Sequence, residues 1–206
     1  VPAAADDRLT NQRRRTRKDL LEAAARLLRQ GAASPGMEEV AEAALVSRAT
    51  AYRYFPSVEA LLVEASIDTA VPDPREVFAG DPSTDPAERV DRAEAALHEM
   101  TFGNEAQLRL MLVHAIQQAL KGGGTAMPIR QNRRIPLIEA ALAPARDRFT
   151  NASYQKLCAA LAVLFGPEAM VVFRDVLQAD AEQAREVKSW AVRALVRAAL
   201  AESEGA

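Results

Sequence analysis

The spacing of the apolar residues narrows the folds open to this chain more than anything else in its sequence. They recur every three or four positions, alanine fills many of the intervals, and no stretch alternates apolar with polar for long. That period belongs to amphipathic α-helices and not to half-buried strands, so the expectation is an all-α protein. A first helix is expected over 17–30. Thr16 would cap it with Asp19 three residues on, Leu20, Ala24, Leu27 and Leu28 form its buried stripe, and Gly31 ends it. A short helix follows Pro35-Gly36, with Met37, Val40, Ala41 and Ala44 on one face. After the break Leu45-Val46-Ser47, a third helix covers 48–55 with Ser47 as its N-cap. Pro56-Ser57 restarts the chain as a fourth helix to about residue 70, with Leu61, Leu62 and Ala65 apolar.

Residues 72–86 concentrate Pro, Asp and Gly and mark the expected domain boundary. Beyond them helices are expected at 86–102, 105–121, 135–147, 151–165, 167–178 and 181–202. Asp85-Pro86, Gly103-Asn104, Gly122-Gly123-Gly124, Gly166-Pro167 and the capping pair Asp180 and Gln183 punctuate them. The resulting division is a flexible basic arm at 1–15, a helix-turn-helix at 16–56, a connecting helix at 57–71 and a helical body at 72–206.

Charge is distributed unevenly. The chain of 206 residues carries 26 basic and 28 acidic residues, a formal net charge of −2 that by itself argues against nucleic acid as a partner. Yet Arg8, Arg13, Arg14, Arg15, Arg17 and Lys18 are six positive side chains in a stretch without an acid. Setting those six aside from the 26 leaves 20 basic against 28 acidic residues. A cationic arm on an anionic body either meets a polyanion at one end or is a solvated, frayed terminus. No apolar run approaches the roughly 18 residues of a membrane span, and no secretory signal is visible. Cys158 is alone, so neither an intrachain disulfide nor a cysteine-built zinc site is expected, and a cytoplasmic location fits.

Residues 37–55 have the proportions of a helix-turn-helix: a short amphipathic helix, a three-residue turn and a second helix of two turns. On that second helix Ala51 and Phe55 are expected to point inward with Val46. Arg48, Ala49, Thr50, Arg53 and Tyr54 are then left outward, with Tyr52 at the margin. Fork donors, small residues and hydroxyls are what a protein needs to approach base edges and hold phosphates. The other reading is an ordinary amphipathic hairpin.

The stretch 18–64 resembles the DNA-binding domain of TetR-family transcriptional regulators. The resemblance is carried by Leu20-Leu21-Glu22-Ala23-Ala24, Val40-Ala41-Glu42-Ala43-Ala44, Val46-Ser47, Thr50-Ala51-Tyr52-Arg53-Tyr54-Phe55-Pro56-Ser57 and Glu59-Ala60-Leu61-Leu62. It implies that Ser47, Arg48, Ala49, Thr50, Arg53 and Tyr54 approach bases and nearby phosphates, and that Tyr52 contacts the DNA backbone. Arg13, Arg14, Arg15 and Lys18 would reach phosphates or the minor groove. The helical second half resembles the family's ligand-binding and dimerisation domain in length and helix count. Three places depart from the family pattern. Leu45 stands where the turn usually has Gly, which calls for a left-handed residue or a differently shaped turn. Val58 replaces a common phosphate-binding Lys. Glu38 and Glu39 suit the positive end of their helix but would repel DNA if they faced it. All three shift weight onto the arginine arm.

Two recognition helices about 34 Å apart on a two-fold axis read a palindrome, so a homodimer on double-stranded operator DNA is expected. The run Ala169-Met170-Val171-Val172-Phe173 through Val176-Leu177, and the two apolar stripes of the last helix, suggest the interface. Met170, Phe173, Leu177, Val192, Leu195 and Val196 are its candidate residues, and Trp190 is expected to pack there too. A small-molecule effector pocket is read at Gln107, Met111, His114 and Gln118, spaced to share one helix face, with His98, Met100 and Phe102 on the preceding helix. No catalytic motif is present, and neither a cofactor nor a metal is expected. The reading is a ligand-released homodimeric repressor; the alternative is a helical ligand- or protein-binding module whose DNA contact is weak or lost.

Overall fold

The computed structural model describes residues 3–30, 34–120 and 131–205, with side chains from residue 11 onward. Gly31 and Gly122-Gly123-Gly124, expected to end two helices, lie outside the described residues. Among those described there is no strand; the protein is all-α. It separates into two compact units, Val1–Ala70 with Ala106–Gln131, and Val71–Glu105 with Asn132–Ala206. The first seam, at 70/71, falls at the edge of the Pro-rich segment. The sequence offers no cue to the second, at 105/106, because nothing local distinguishes a helix that packs with the N-terminal unit from one that packs with the body.

In the first unit α1 (Ala3–Arg29) is one continuous helix. The expected start at Thr16 is therefore wrong. The Thr16 hydroxyl donates back to the Gln12 carbonyl at 3.2 Å, the mid-helix use of a threonine, and caps nothing. The expected loose arm is thus helical from Ala3. α2 (Met37–Ala43) and α3 (Arg48–Tyr54) cross on α1, and α4 (Val58–Ala70) closes the group. Leu20, Leu21, Ala24, Met37, Val40, Ala51, Phe55, Leu61 and Ala65 make the core. Phe55 is almost wholly buried, so truncating it to Ala should cost about 3–5 kcal/mol. α7 (Glu105–Leu120) has its larger part in this unit.

The second unit holds α5 (Pro74–Val77), α6 (Pro86–Gly103), α8 (Ile135–Leu142) with a 3₁₀ extension over Ala143–Arg148, α9 (Asn151–Leu164), α10 (Pro167–Val171) and α11 (Ala181–Glu204). A π-helical turn, Val172–Val176, follows α10. Asp85 and Asp180 cap α6 and α11, the latter with Gln183 in a capping box. Val90, Leu97, Leu137, Ile138, Leu142, Leu157, Leu161, Phe165, Val192 and Val196 fill its core. Gly166 has φ +121°, and a Cβ there would meet the Arg134 guanidinium at 2.9 Å, so this turn requires glycine. No single described helix is long and apolar enough to cross a membrane.

Candidate nucleic-acid interface

The turn ahead of α3 is left-handed. Leu45 takes φ 57°, its amide bonds the Glu42 carbonyl, and the Val46 amide bonds that of Ala41, so the residue standing in glycine's usual place adopts glycine's conformation. Its side chain is 94% exposed and gains nothing from packing. Ser47 then starts α3: its hydroxyl oxygen accepts from the Thr50 amide at 3.1 Å and lies 2.9 Å from the Thr50 hydroxyl. This cap fixes where the first turn of α3 presents its side chains.

Arg48, Ala49 and Arg53 are exposed, Thr50 is half-buried, and Tyr52 is 44% exposed with the Arg48 guanidinium 5.6 Å from its ring centre. Tyr54 is a correction. It is 6% exposed and packs in the core with Ala51 and Phe55. Residues 51, 54 and 55 follow the i, i+3, i+4 rule of one helix face, so a helix that buries Ala51 and Phe55 buries Tyr54 with them. Tyr52 carries the outward phenol instead.

On α1, Arg14, Arg15 and Lys18 are exposed and Arg13 is half-buried. Lys18 is paired with Glu22 one turn on, at 3.2 Å. Among the described residues no salt bridge forms at Arg14, Arg15, Arg48 or Arg53, although a hydrogen bond to Tyr52 and the nearby Glu38 carboxylate raise the Arg48 pKa. Arg17 belongs to the interior: it bonds the Glu64 carboxylate at 2.5 Å and the Tyr54 carbonyl at 3.0 Å, and lies 4.2 Å from the Phe55 ring centre. It thereby holds the C-terminal end of α3. Its signal in the sequence was its place on the apolar stripe with Leu20, Leu21 and Ala24. Arg26 donates to the Ala43 carbonyl at 2.9 Å and so stabilises the end of α2. Of the two acids, Glu39 is spent on the cap, accepting from the Gly36 amide at 2.7 Å, while Glu38 is exposed. Val58 packs against the core.

The expected effector face of α7 is not a cavity. Met111, His114 and Gln118 meet Arg17, Phe55, Pro56, Ala60 and Glu64 across a crevice of about 10 Å³, space for no more than a single water. Gln118 donates to the Tyr54 carbonyl at 3.4 Å, and Gln107, one turn before Met111, is exposed. Polar residues among apolar neighbours there serve packing against α1 and α4. His98 and Phe102 do line a cleft, of about 810 Å³, in the second unit, together with Trp190, whereas Met100 packs into the core. Of the expected interface residues, Met170, Phe173, Val192 and Val196 are buried inside their own unit, Leu195 packs against its core, and Leu177 is exposed. The stripe Ala184, Lys188, Val192, Val196 and Ala199 is the inward face of α11. In the second unit the large apolar residues left exposed are instead Val163, Val172, Val176, Leu177, Val187 and Trp190.

Neither the curated proteins nor the solved structures give a match to this chain. Residues 20–65, which span the end of α1 through α4, match the model described as bacterial regulatory proteins, tetR family. That likeness covers α2, α3 and parts of α1 and α4, and relates this stretch rather than the whole chain to that family.

Proposed function

We propose that this chain is a regulator of the tetR family, a homodimeric repressor that reads a palindromic operator and lets go of it when a small molecule binds the second unit. The observation that supports the reading is the outward face of α3, where the exposed Arg48 and Arg53 stand with Thr50 and Tyr52 and form no salt bridge among the described residues. Arginine forks discriminate guanine in a major groove, and the Tyr52 hydroxyl and the α1 arginines suit phosphates. Ser47 and Ala49, at the start of α3, allow close approach.

One α3 spans too few base pairs for useful specificity, and two-fold pairing supplies the second half-site. The exposed Val163, Val172, Val176, Leu177 and Val187 support such pairing, since burying apolar side chains left in water favours association. An effector releases DNA only through higher affinity for a dimer shape that misplaces the recognition helices, a coupling of about 1–3 kcal/mol.

Selection of duplexes from a random pool by the full chain tests the reading. A palindrome with half-site centres about one helical turn apart is expected, and a single unrepeated site would contradict it. Val176→Glu with Leu177→Glu should shift the chain to monomer in sedimentation and abolish tight operator binding together.

A further inference from the structure

Arg48 and Arg53 are both exposed on α3, but their surroundings differ. Tyr52 follows Arg48 by one helical turn, and a side chain at that spacing leans back over the turn before its own Cα. The Arg48 guanidinium lies 5.6 Å from the centre of the Tyr52 ring. The phenol oxygen accepts a hydrogen bond from it and holds the Arg48 pKa above its ordinary value, and the Glu38 carboxylate on α2 adds a smaller pull in the same direction. Arg53 has no ring beneath it among the described residues. Tyr52 is 44% exposed and stands outside the core of its unit, so packing does not explain its place.

The backbone under Arg48 is fixed as well. Ser47 caps α3 through the Thr50 amide, so Arg48 is the first residue of the helix, at the end from which recognition helices reach base edges. A guanidinium with all its rotamers free must lose them when it docks on a base. One already laid against a neighbour loses fewer. The phenol also keeps its own proton. It accepts from Arg48 and still has a donor for a phosphate oxygen, which would tie the fork to the DNA backbone beside the base it reads.

We propose that Tyr52 is the positioning residue for Arg48: its ring and hydroxyl hold the guanidinium before DNA arrives, and the base that Arg48 reads is discriminated through that hold. The assignment rests on the operator-reading function above and deepens it, but its first test needs no DNA.

Nitrogen relaxation of the arginine Nε–H groups in the full chain measures the hold directly. Arg48 should be more ordered than Arg53, and Tyr52→Leu should bring it down to the level of Arg53 with helical content unchanged. The second test uses the operator selected by the parent chain and a variant changed at the base pair whose discrimination Arg48→Ala removes. Tyr52→Phe should cut discrimination at that pair by about three- to tenfold, and in an Arg48→Ala background it should leave discrimination there unmoved. A lost phosphate contact alone would weaken operator and variant equally. Arg48 as mobile as Arg53 in the parent chain, order unmoved by Tyr52→Leu, or an equal loss on operator and variant would each overturn the proposal. Duplex titration of the parent chain judges the regulatory reading separately: an ordered Arg48 on a chain that binds no duplex sustains the pairing and sinks the regulator.

Discussion

The basic residues of α3 and those of α11 are used in opposite ways. Arg48 and Arg53 stand in solvent without a salt bridge among the described residues, whereas Arg185, Lys188 and Arg193 are tied to Asp91 and Glu94 on the facing helix. Lys188 and Glu94 are almost completely buried. Burial pushes the Glu94 carboxyl up and the Lys188 ammonium down, and each partner's charge opposes the shift of the other. The difference teaches which charges are free for a partner. A buried cation is bound to its counter-charge and specifies how α6 and α11 meet; a solvated one contributes little to folding and remains available for a polyanion.

The largest effect that could break this comparison lies in the buried set. Lys188→Met leaves Glu94 in the interior with Arg185 alone, and the unfolding free energy in urea should fall by about 3–5 kcal/mol. Adding Glu94→Leu should recover most of that loss, because two apolar residues replace a pair whose desolvation cost is high. A double variant as weak as the single one would mean that the loss reflects packing rather than charge.

Arg48→Ala and Arg53→Ala should do the reverse. Each should weaken operator binding by about 1–3 kcal/mol while unfolding stays within about 0.5 kcal/mol of the parent. Stability lost along with binding would place these arginines in the folding set.

His98 sharpens the comparison through pH. Its folded pKa, about 4, lies below the ordinary value of 6.5, so between those values the unfolded chain binds a proton that the folded chain refuses. Stability from this group is therefore full above about pH 6.5 and declines as pH falls toward 4, by roughly 2 kcal/mol between pH 7 and 5. His98→Gln should make the urea midpoint less dependent on pH across that window, and an unchanged slope would contradict the burial-driven shift.

The smallest effect concerns the turn. Leu45 pays for φ 57° without burying anything, so Leu45→Gly should stabilise the chain by about 0.5–1 kcal/mol after glycine's greater unfolded entropy is counted. A loss in thermal unfolding would show that the leucine packs after all.

Helix positions and caps were legible because each rests on local chemistry: Ser47, Asp85 and Asp180 cap where their spacing says they should. Orientation on short helices was harder. With seven residues in α3 the apolar face is set by three positions, and Tyr54, amphipathic by nature, reads either way until tertiary packing decides. The same ambiguity put Met170, Phe173, Val192 and Val196 at an interface, when they fill their own core. Arg17 read as one more cation of the basic stretch because its partner, Glu64, is remote in sequence; Lys188 drew no reading, and only the fold brings it to Glu94. The cleft beside Trp190 was half seen, through His98 and Phe102; Glu182, Glu186 and Trp190 come from another helix.

The most direct test of the central claim, that the solvated arginines of α1 and α3 meet a polyanion, is duplex affinity measured against salt concentration. The account predicts a linear fall of log affinity with log salt, made shallower by about one unit for each phosphate-binding arginine removed, with Arg14→Ala and Arg15→Ala acting alike on operator and random duplex. An affinity that does not respond to salt, or no binding at low salt, would contradict it.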